Sequence, residues 1–199
     1  MDYMSQNKPS TVMNTEKNLS GKKVAILLSE GFEEVEMTKP RQALQDAGAT
    51  AHIIGLKGGD VKAWDMDDWG ETYDVDLALD AADPAQYDAL LLPGGVINPD
   101  NLRQSDKAIS FVKHFFSEQK PVAAICHAPI MLIEADVVDG RTLTSFPSIK
   151  TDLKNAGANW VDQQVVNDGN LVTSRNPDDI PAFNKGMIEL FANGVKASA

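Results

Sequence analysis

Lys120-Pro121-Val122-Ala123-Ala124-Ile125-Cys126-His127-Ala128-Pro129-Ile130-Met131-Leu132-Ile133 is the stretch whose reading decides the fold. Val122 to Ile125 are apolar and of turn-to-turn length for a short strand buried on both faces, and residues 130–135 suit the inner face of a helix. The only cysteine of the 199 residues stands between them, followed directly by a histidine. A nucleophile on a sharp strand-to-helix turn is pushed out of the sheet, toward the free N–H groups that open the helix. Those donors and the helix dipole favour a thiolate, so the expectation is a thiol lowered from about 8.5 toward about 3.5–7.5. A lone cysteine is more commonly a small buried hydrophobe. The elbow and the adjacent histidine point instead to a thiol-dependent active site.

Working outward, residues 23–29 (KVAILLS) read as another strand buried on both faces, closed by Glu30-Gly31. A helix over residues 35–47 follows, with Gly48 as its C-cap, and then a short strand over 51–55. Residues 58–83 are polar, carry Trp64, Trp69 and Tyr73, and read as an edge hairpin or excursion. Residues 88–95 (DALLLPGG) are a buried strand ending in a glycine pair. Asn98-Pro99-Asp100 opens one helix running to about Glu118, with Ile109, Val112, Phe115 and Phe116 at helical spacing. Beyond the elbow come a helix ended by Gly140, a short strand over 141–145, a helix over 148–155, a hairpin turning at Asp168-Gly169 and a last helix over 180–192 capped by Gly194. This alternation predicts an α/β fold, parallel strands with helices on both faces. Sites in such sheets form beyond the carboxyl ends of strands. If the strands ending near Ser29, Pro93 and Cys126 are neighbours, their turns share one cleft.

The composition, 43% apolar and 24% charged, suits one domain, expected over residues 22–194 between polar tails at 1–21 and 195–199. A net charge of −11 argues against a nucleic-acid surface. One cysteine makes no internal disulfide, which fits a reducing cytoplasm, and one Cys with three His shows no metal-ligand spacing. No run approaches the ~20 apolar residues of a membrane span, and the polar start lacks the apolar centre of a signal peptide.

Glu33, Glu34 and Glu36 follow the first strand within four residues. A carboxyl there, facing the sulfur and desolvated, would stay protonated and donate to a thiolate or serve as acid and base. Spacing alone leaves the choice among the three open. The Gly95 N–H, together with the N–H of His127, would hold an oxyanion. The His127 side chain is not expected to pair with Cys126 on helical geometry alone, since adjacent helical residues do not face each other. His52 and His114 read as structural or surface residues. No histidine follows His127, which argues against ammonia transfer from glutamine by a Cys–His–acid triad.

Residues 23–40 (KVAILLSEGFEEVEMTKP), 87–95 (YDALLLPGG) and 121–129 (PVAAICHAP) together resemble the PfpI-type intracellular protease family, within the class I glutamine amidotransferase-like superfamily. The likeness extends through Thr144-Ser145-Phe146-Pro147-Ser148 and residues 172–177 to about residue 191. It implies a flavodoxin-like three-layer sandwich, Cys126 as nucleophile, Glu36 as the glutamate touching the sulfur, and His127 as the histidine of the peptidase-like branch. It further implies an acid lent to His127 by a neighbouring subunit, for which Asp100 is the candidate, in a turn one residue longer than the family's. That makes a homodimer or larger homo-oligomer the expected assembly. Ala128 stands where the family often has glycine.

The resulting expectation is a cofactor-independent cysteine enzyme of stress-response type, with Cys126, His127, Glu36 and Asp100 catalytic and Gly95 at the oxyanion. Its thiolate attacks small reactive carbonyls or their protein adducts, as a glyoxalase or deglycase does. The alternatives are an intracellular cysteine peptidase acting on peptides, and a non-enzymatic redox sensor and chaperone whose cysteine is oxidised to a sulfinate.

Overall fold

Strand and helix alternate along residues 19–194, the part of the chain that the computed structural model describes. The first half runs β1 (Lys23–Leu28), α1 (Glu34–Asp46), β2 (Thr50–Gly55), β3 (Asp60–Asp65), β4 (Asp68–Asp74), β5 (Leu77–Ala78), β6 (Ala89–Leu92), α2 (Ile97–Leu102) and α3 (Asp106–Ser117). The second runs β7 (Val122–Ile125), α4 (Pro129–Glu134), β8 (Thr142–Leu143), α5 (Lys150–Asn155), β9 (Asn159–Trp160), β10 (Val165–Asp168), β11 (Leu171–Ser174) and α6 (Ile180–Asn193). Seven strands form one sheet in the order β10-β11-β7-β6-β1-β2-β5, parallel except for β10. β7, β6 and β1 are neighbours, so the three turns do open on one side of the sheet.

Alternation along β1 explains the three layers. Ala25 and Leu27 face one core with Leu90, Val122, Phe111, Phe115 and Leu132, on the α3 and α4 side. Val24, Ile26 and Leu28 face the other with Leu91, Ala123, Met37, Phe183 and Met187, on the α1 and α6 side. A strand buried on both faces has no polar alternation to show, which is why its sequence reads as a continuous apolar run. The chain is thus a mixed α/β sandwich with a flavodoxin-like central sheet.

Several boundaries differ from expectation for local reasons. Leu19, placed by the sequence in the tail, is fully buried and its N–H donates to Ala47 O at 2.7 Å; residues 1–18 and 195–199 of the expected tails lie outside the described residues. The single helix expected after Asp100 is two, because Ser105 caps α3, its side chain accepting from Ala108 N at 3.2 Å. Ser105→Ala is expected to lower the unfolding free energy by about 1 kcal/mol in urea titration, and a change below the measurement error would show the cap to be idle. The α4 helix ends before Gly140: Asp136 takes φ 55°, with Asp136 N bonding Ile133 O and Val137 N bonding Leu132 O, a Schellman-type stop. The strand expected over residues 161–166 is shifted toward the turn, β10 being Val165–Asp168 and sharing only Val165 and Val166 with that expectation. Within the 58–83 excursion β3 and β4 form a hairpin outside the main sheet, while β5 joins the edge of that sheet beside β2.

Candidate active site

Cys126 follows β7 with φ 64°, a left-handed conformation that a side chain adopts only when its surroundings hold it there. The hold is visible: Cys126 N donates to Ser174 O at 3.0 Å and Cys126 O accepts from Phe146 N at 2.9 Å, pinning the residue between the turns after β11 and β8. The turn directs the sulfur into a pocket of about 400 Å³ lined also by Glu36, Glu33, Gly95 and His127.

Glu36 sits in the first turn of α1 and is fully buried. Its Oε2 accepts from Gly94 N at 2.9 Å, its Oε1 has no partner of normal geometry, and its carboxyl is electrostatically coupled to the Cys126 sulfur. The structure therefore separates the three glutamates. Glu36 faces the sulfur, Glu33 Oε1 accepts from Met66 N at 3.1 Å, and Glu34 takes Glu71 N at 2.9 Å and the Tyr73 hydroxyl at 2.6 Å. The last two tie the β3–β4 hairpin to the α1 entrance. Close approach of these turns depends on glycine: a Cβ on Gly94 would lie 2.5 Å from Glu36 Oε2 and 2.7 Å from Cys126 Cβ, and Gly95 has φ 80° with Gly31 O 2.5 Å from its would-be Cβ.

Burial pushes the Glu36 carboxyl up to about 8, against weaker opposing bonds from Cys126 and Gly94 N–H. The Cys126 thiol moves the opposite way from the sequence expectation. Burial first, and then the charge of Glu36, push it up, while the N–H groups of Gly95 and His127 pull it down. The donors at the sulfur come from the turn after β6 and from the turn leading into α4, not from the opened helix that the sequence suggested, and they are outweighed by desolvation of a sulfur only 6% exposed. The two N–H groups expected at an oxyanion are both aimed at this sulfur.

His127 does face Cys126, with Nδ1 3.2 Å from Sγ. The helical rule does not apply because Cys126 is left-handed and α4 begins only at Pro129. The ring is stacked on Phe146 at 4.6 Å between centroids, and Nε2 lies 2.9 Å from Ser148 Oγ. Burial lowers its pKa, so the imidazole is neutral at pH 7 and above. With Ser148 accepting from Nε2–H, Nδ1 presents its lone pair to the thiol proton.

Asp100 is not brought to this pocket within one subunit. It is exposed on α2, where its backbone carbonyl accepts from Gln104 Nε2, and Ser148 takes the place beside Nε2. Two residues escaped the sequence reading. Ser148 stands in the sequence as a helix start within a stretch of family likeness, and no spacing rule links it to His127. Asn98 was read as a helix start; it is fully buried, its Oδ1 accepts from Ser29 N at 2.7 Å, and its Nδ2 donates to Pro93 O and Gly94 O. It fastens the turn after β6 to the end of β1. His52 bonds the Tyr87 hydroxyl and, like His114, is outside the pocket.

The family model described as the DJ-1/PfpI family matches residues 22–190. A deglycase of Thermococcus kodakarensis is 42% identical over 168 residues, covering 84% of this chain and 98% of the relative. General stress protein 18 of Bacillus subtilis is 44% identical over 171 residues, covering 85% of this chain and 98% of that protein. The crystal structure of DJ-1beta from Drosophila melanogaster aligns with a TM-score of 0.79 at 32% identity, covering 86% of this chain and 90% of that one.

Proposed function

Because the chain belongs to the DJ-1/PfpI family, within the class I glutamine amidotransferase-like superfamily, we propose that it is a cofactor-independent cysteine enzyme acting on reactive carbonyls, of glyoxalase or deglycase type. One observation carries this reading: the Cys126 sulfur lies at the pocket between a carboxyl raised to about 8 and a neutral imidazole 3.2 Å away. A relative named as a deglycase supports it.

The resting site holds a thiol, so the sulfur loses its proton to His127 Nδ1 as it attacks. The S–C bond formed at an aldehyde carbon leaves an alkoxide, which the N–H groups of Gly95 and His127 stabilise and the imidazolium protonates, giving a hemithioacetal. Ionised Glu36 then takes the proton from that carbon and returns it to the neighbouring carbon, while the hydroxyl proton passes through His127 to the neighbouring carbonyl oxygen, converting the adduct to a thioester of a 2-hydroxy acid. Water attacks the thioester with His127 as base, the S–C bond breaks, and thiol and acid are released. No external electron acceptor is needed, because one carbon is oxidised as its neighbour is reduced. On a protein hemiaminal the sulfur forms its S–C bond as the C–N bond breaks, the amine departing with the proton that His127 took from the thiol, and the resulting hemithioacetal follows the same sequence.

The test is lactate formation from methylglyoxal by the purified protein without added cofactor, beside hydrolysis of an unstructured peptide. Lactate release supports the proposal; peptide cleavage without lactate would replace it with the peptidase reading. Ser148→Ala is expected to lower kcat about three- to tenfold and to distort its pH profile, with Ser148→Thr restoring both. Equal losses in Ala and Thr would show that the hydroxyl does not orient the ring.

The further implication, that Asp100 serves a neighbouring subunit, rests on the resemblance and on its exposure on α2. Asp100→Asn is expected to lower turnover in a protein that light scattering shows to be at least dimeric, and a fully active monomer would discard the idea. Among the described residues no helix is long and apolar enough to cross a membrane.

A further inference from the structure

The pocket around Cys126 has an unbalanced charge. Among the described residues its lining includes the carboxyls of Glu33 and Glu36 but no lysine or arginine, and the one imidazole there, His127, is held neutral by burial. Glu36 is accounted for by its place beside the sulfur. Glu33 is not. It is 8% exposed, and only one of its oxygens is engaged, Oε1 accepting from Met66 N. No ion pair among the described residues includes it. Burial, and then the like charges of Asp65 and Glu34, push its carboxyl up against the Met66 N–H, so its charge is fully expressed only above the ordinary carboxylate range. An acidic side chain kept this dry, without a cation, on the wall of a reactive-thiol pocket is unexplained by packing of the hairpin, since an amide would accept the Met66 N–H equally well.

We propose that Glu33 is a specificity residue of this pocket, a charge filter that admits neutral or cation-bearing carbonyl compounds to Cys126 and turns away those carrying a carboxylate. The inference rests on reading the pocket as the substrate site. Chemistry at the sulfur does not itself supply this discrimination, because 2-oxo aldehydes and 2-oxo acids both offer an electrophilic carbonyl. A 2-oxo acid bound for attack places its carboxylate one carbon from the reacting centre. There it meets the field of Glu33 in a site where water screens little and no cation of the lining compensates. A neutral dicarbonyl meets no such repulsion, and an adduct on a basic side chain gains from it. The pocket rim is apolar, with Met66 and Val96 exposed, so the Glu33 carboxyl provides the charge discrimination.

Cys126, the only cysteine, allows a test independent of turnover. Iodoacetamide and iodoacetate are close in size and react identically, the sulfur forming an S–C bond as iodide leaves with the bonding electrons, but only iodoacetate is anionic. The ratio of their second-order rates on the folded protein, divided by the same ratio on N-acetylcysteine at the same pH, cancels the thiolate fraction and reports the field in the pocket. That quotient is expected to be about 10 or more at low salt, to fall several-fold in Glu33→Gln, and to fall as ionic strength rises to about 0.5 M. Glu33→Ala, with a melting curve to establish folding, should reproduce the Gln result. A wild-type quotient near one, or a quotient unchanged in folded Glu33 variants, overturns the filter. Absence of lactate from methylglyoxal would sink the proposed function and leave this quotient standing, so the two failures are separate.

Discussion

Cys126→Ser is expected to lose at least about a thousandfold in kcat/KM while keeping its fold. Serine preserves the size class of the side chain and the backbone at this residue, whose N–H and C=O are held by Ser174 and Phe146 whatever the side chain. The chemistry is not preserved. A hydroxyl is far less acidic than a thiol, and burial, which already pushes the Cys126 proton affinity up, makes an alkoxide harder still to form. His127 would then have to remove that proton with a pKa that burial lowers. Chromatography and thermal melting should place the variant within about 1 kcal/mol of wild type. Retention of more than a tenth of the activity would remove the sulfur from the mechanism.

Replacing Glu36 by glutamine is expected to change both stability and rate, in opposite directions. In the folded chain the carboxyl is raised from 4.5 to about 8, largely by burial. Between those values the folded protein keeps a proton that the unfolded chain has released, so unfolding becomes easier as pH rises through this window. At about 1.4 kcal/mol per unit, the Glu36 penalty is absent below about pH 4 and reaches about 5 kcal/mol above pH 8. His127 acts the other way at lower pH. Its folded pKa lies below 6.5, so the unfolded state binds more protons there and stability grows toward neutrality. Glu36→Gln removes only the first contribution and still accepts the Gly94 N–H. Relative to wild type the variant should therefore gain stability steadily from about pH 5 to about pH 8, by roughly 3–5 kcal/mol. Its turnover should fall by about 10²–10⁴, because an amide cannot move the proton between carbons. Wild-type turnover should rise toward about pH 8 as Glu36 ionises. Parallel pH–stability curves for the two proteins would show that the carboxyl ionises as freely in the fold as in water.

Both expectations depend on features that differ in how far the linear chain reveals them. The runs at β1, β6 and β7 declare buried parallel strands because residues with no polar face have nowhere to sit but inside a sheet covered on both sides. Gly48 and Gly194 mark helix ends by backbone freedom, and both have positive φ. The elbow at Cys126 is legible for the same local reason, an apolar strand running into Pro129 and an apolar helix. Sequence alone thus determines the α/β class, the order of the main buried strands and the placing of the only cysteine directly after one of them.

What neighbours that sulfur was decided by packing between segments far apart in the chain. Glu33, Glu34 and Glu36 are nearly equivalent as letters, yet one turn of α1 sends one to the sulfur, one to Met66 N and one to Tyr73, because the β3–β4 hairpin and the turn after β6 occupy different sides of that helix. Ser148 reaches His127 only because the turn after β8 folds over the elbow, across 21 positions of sequence. The direction of the thiol shift was likewise hidden. Backbone donors near an elbow are expected from the chain, but desolvation is set by everything packed around the sulfur, and in this pocket it is the larger influence.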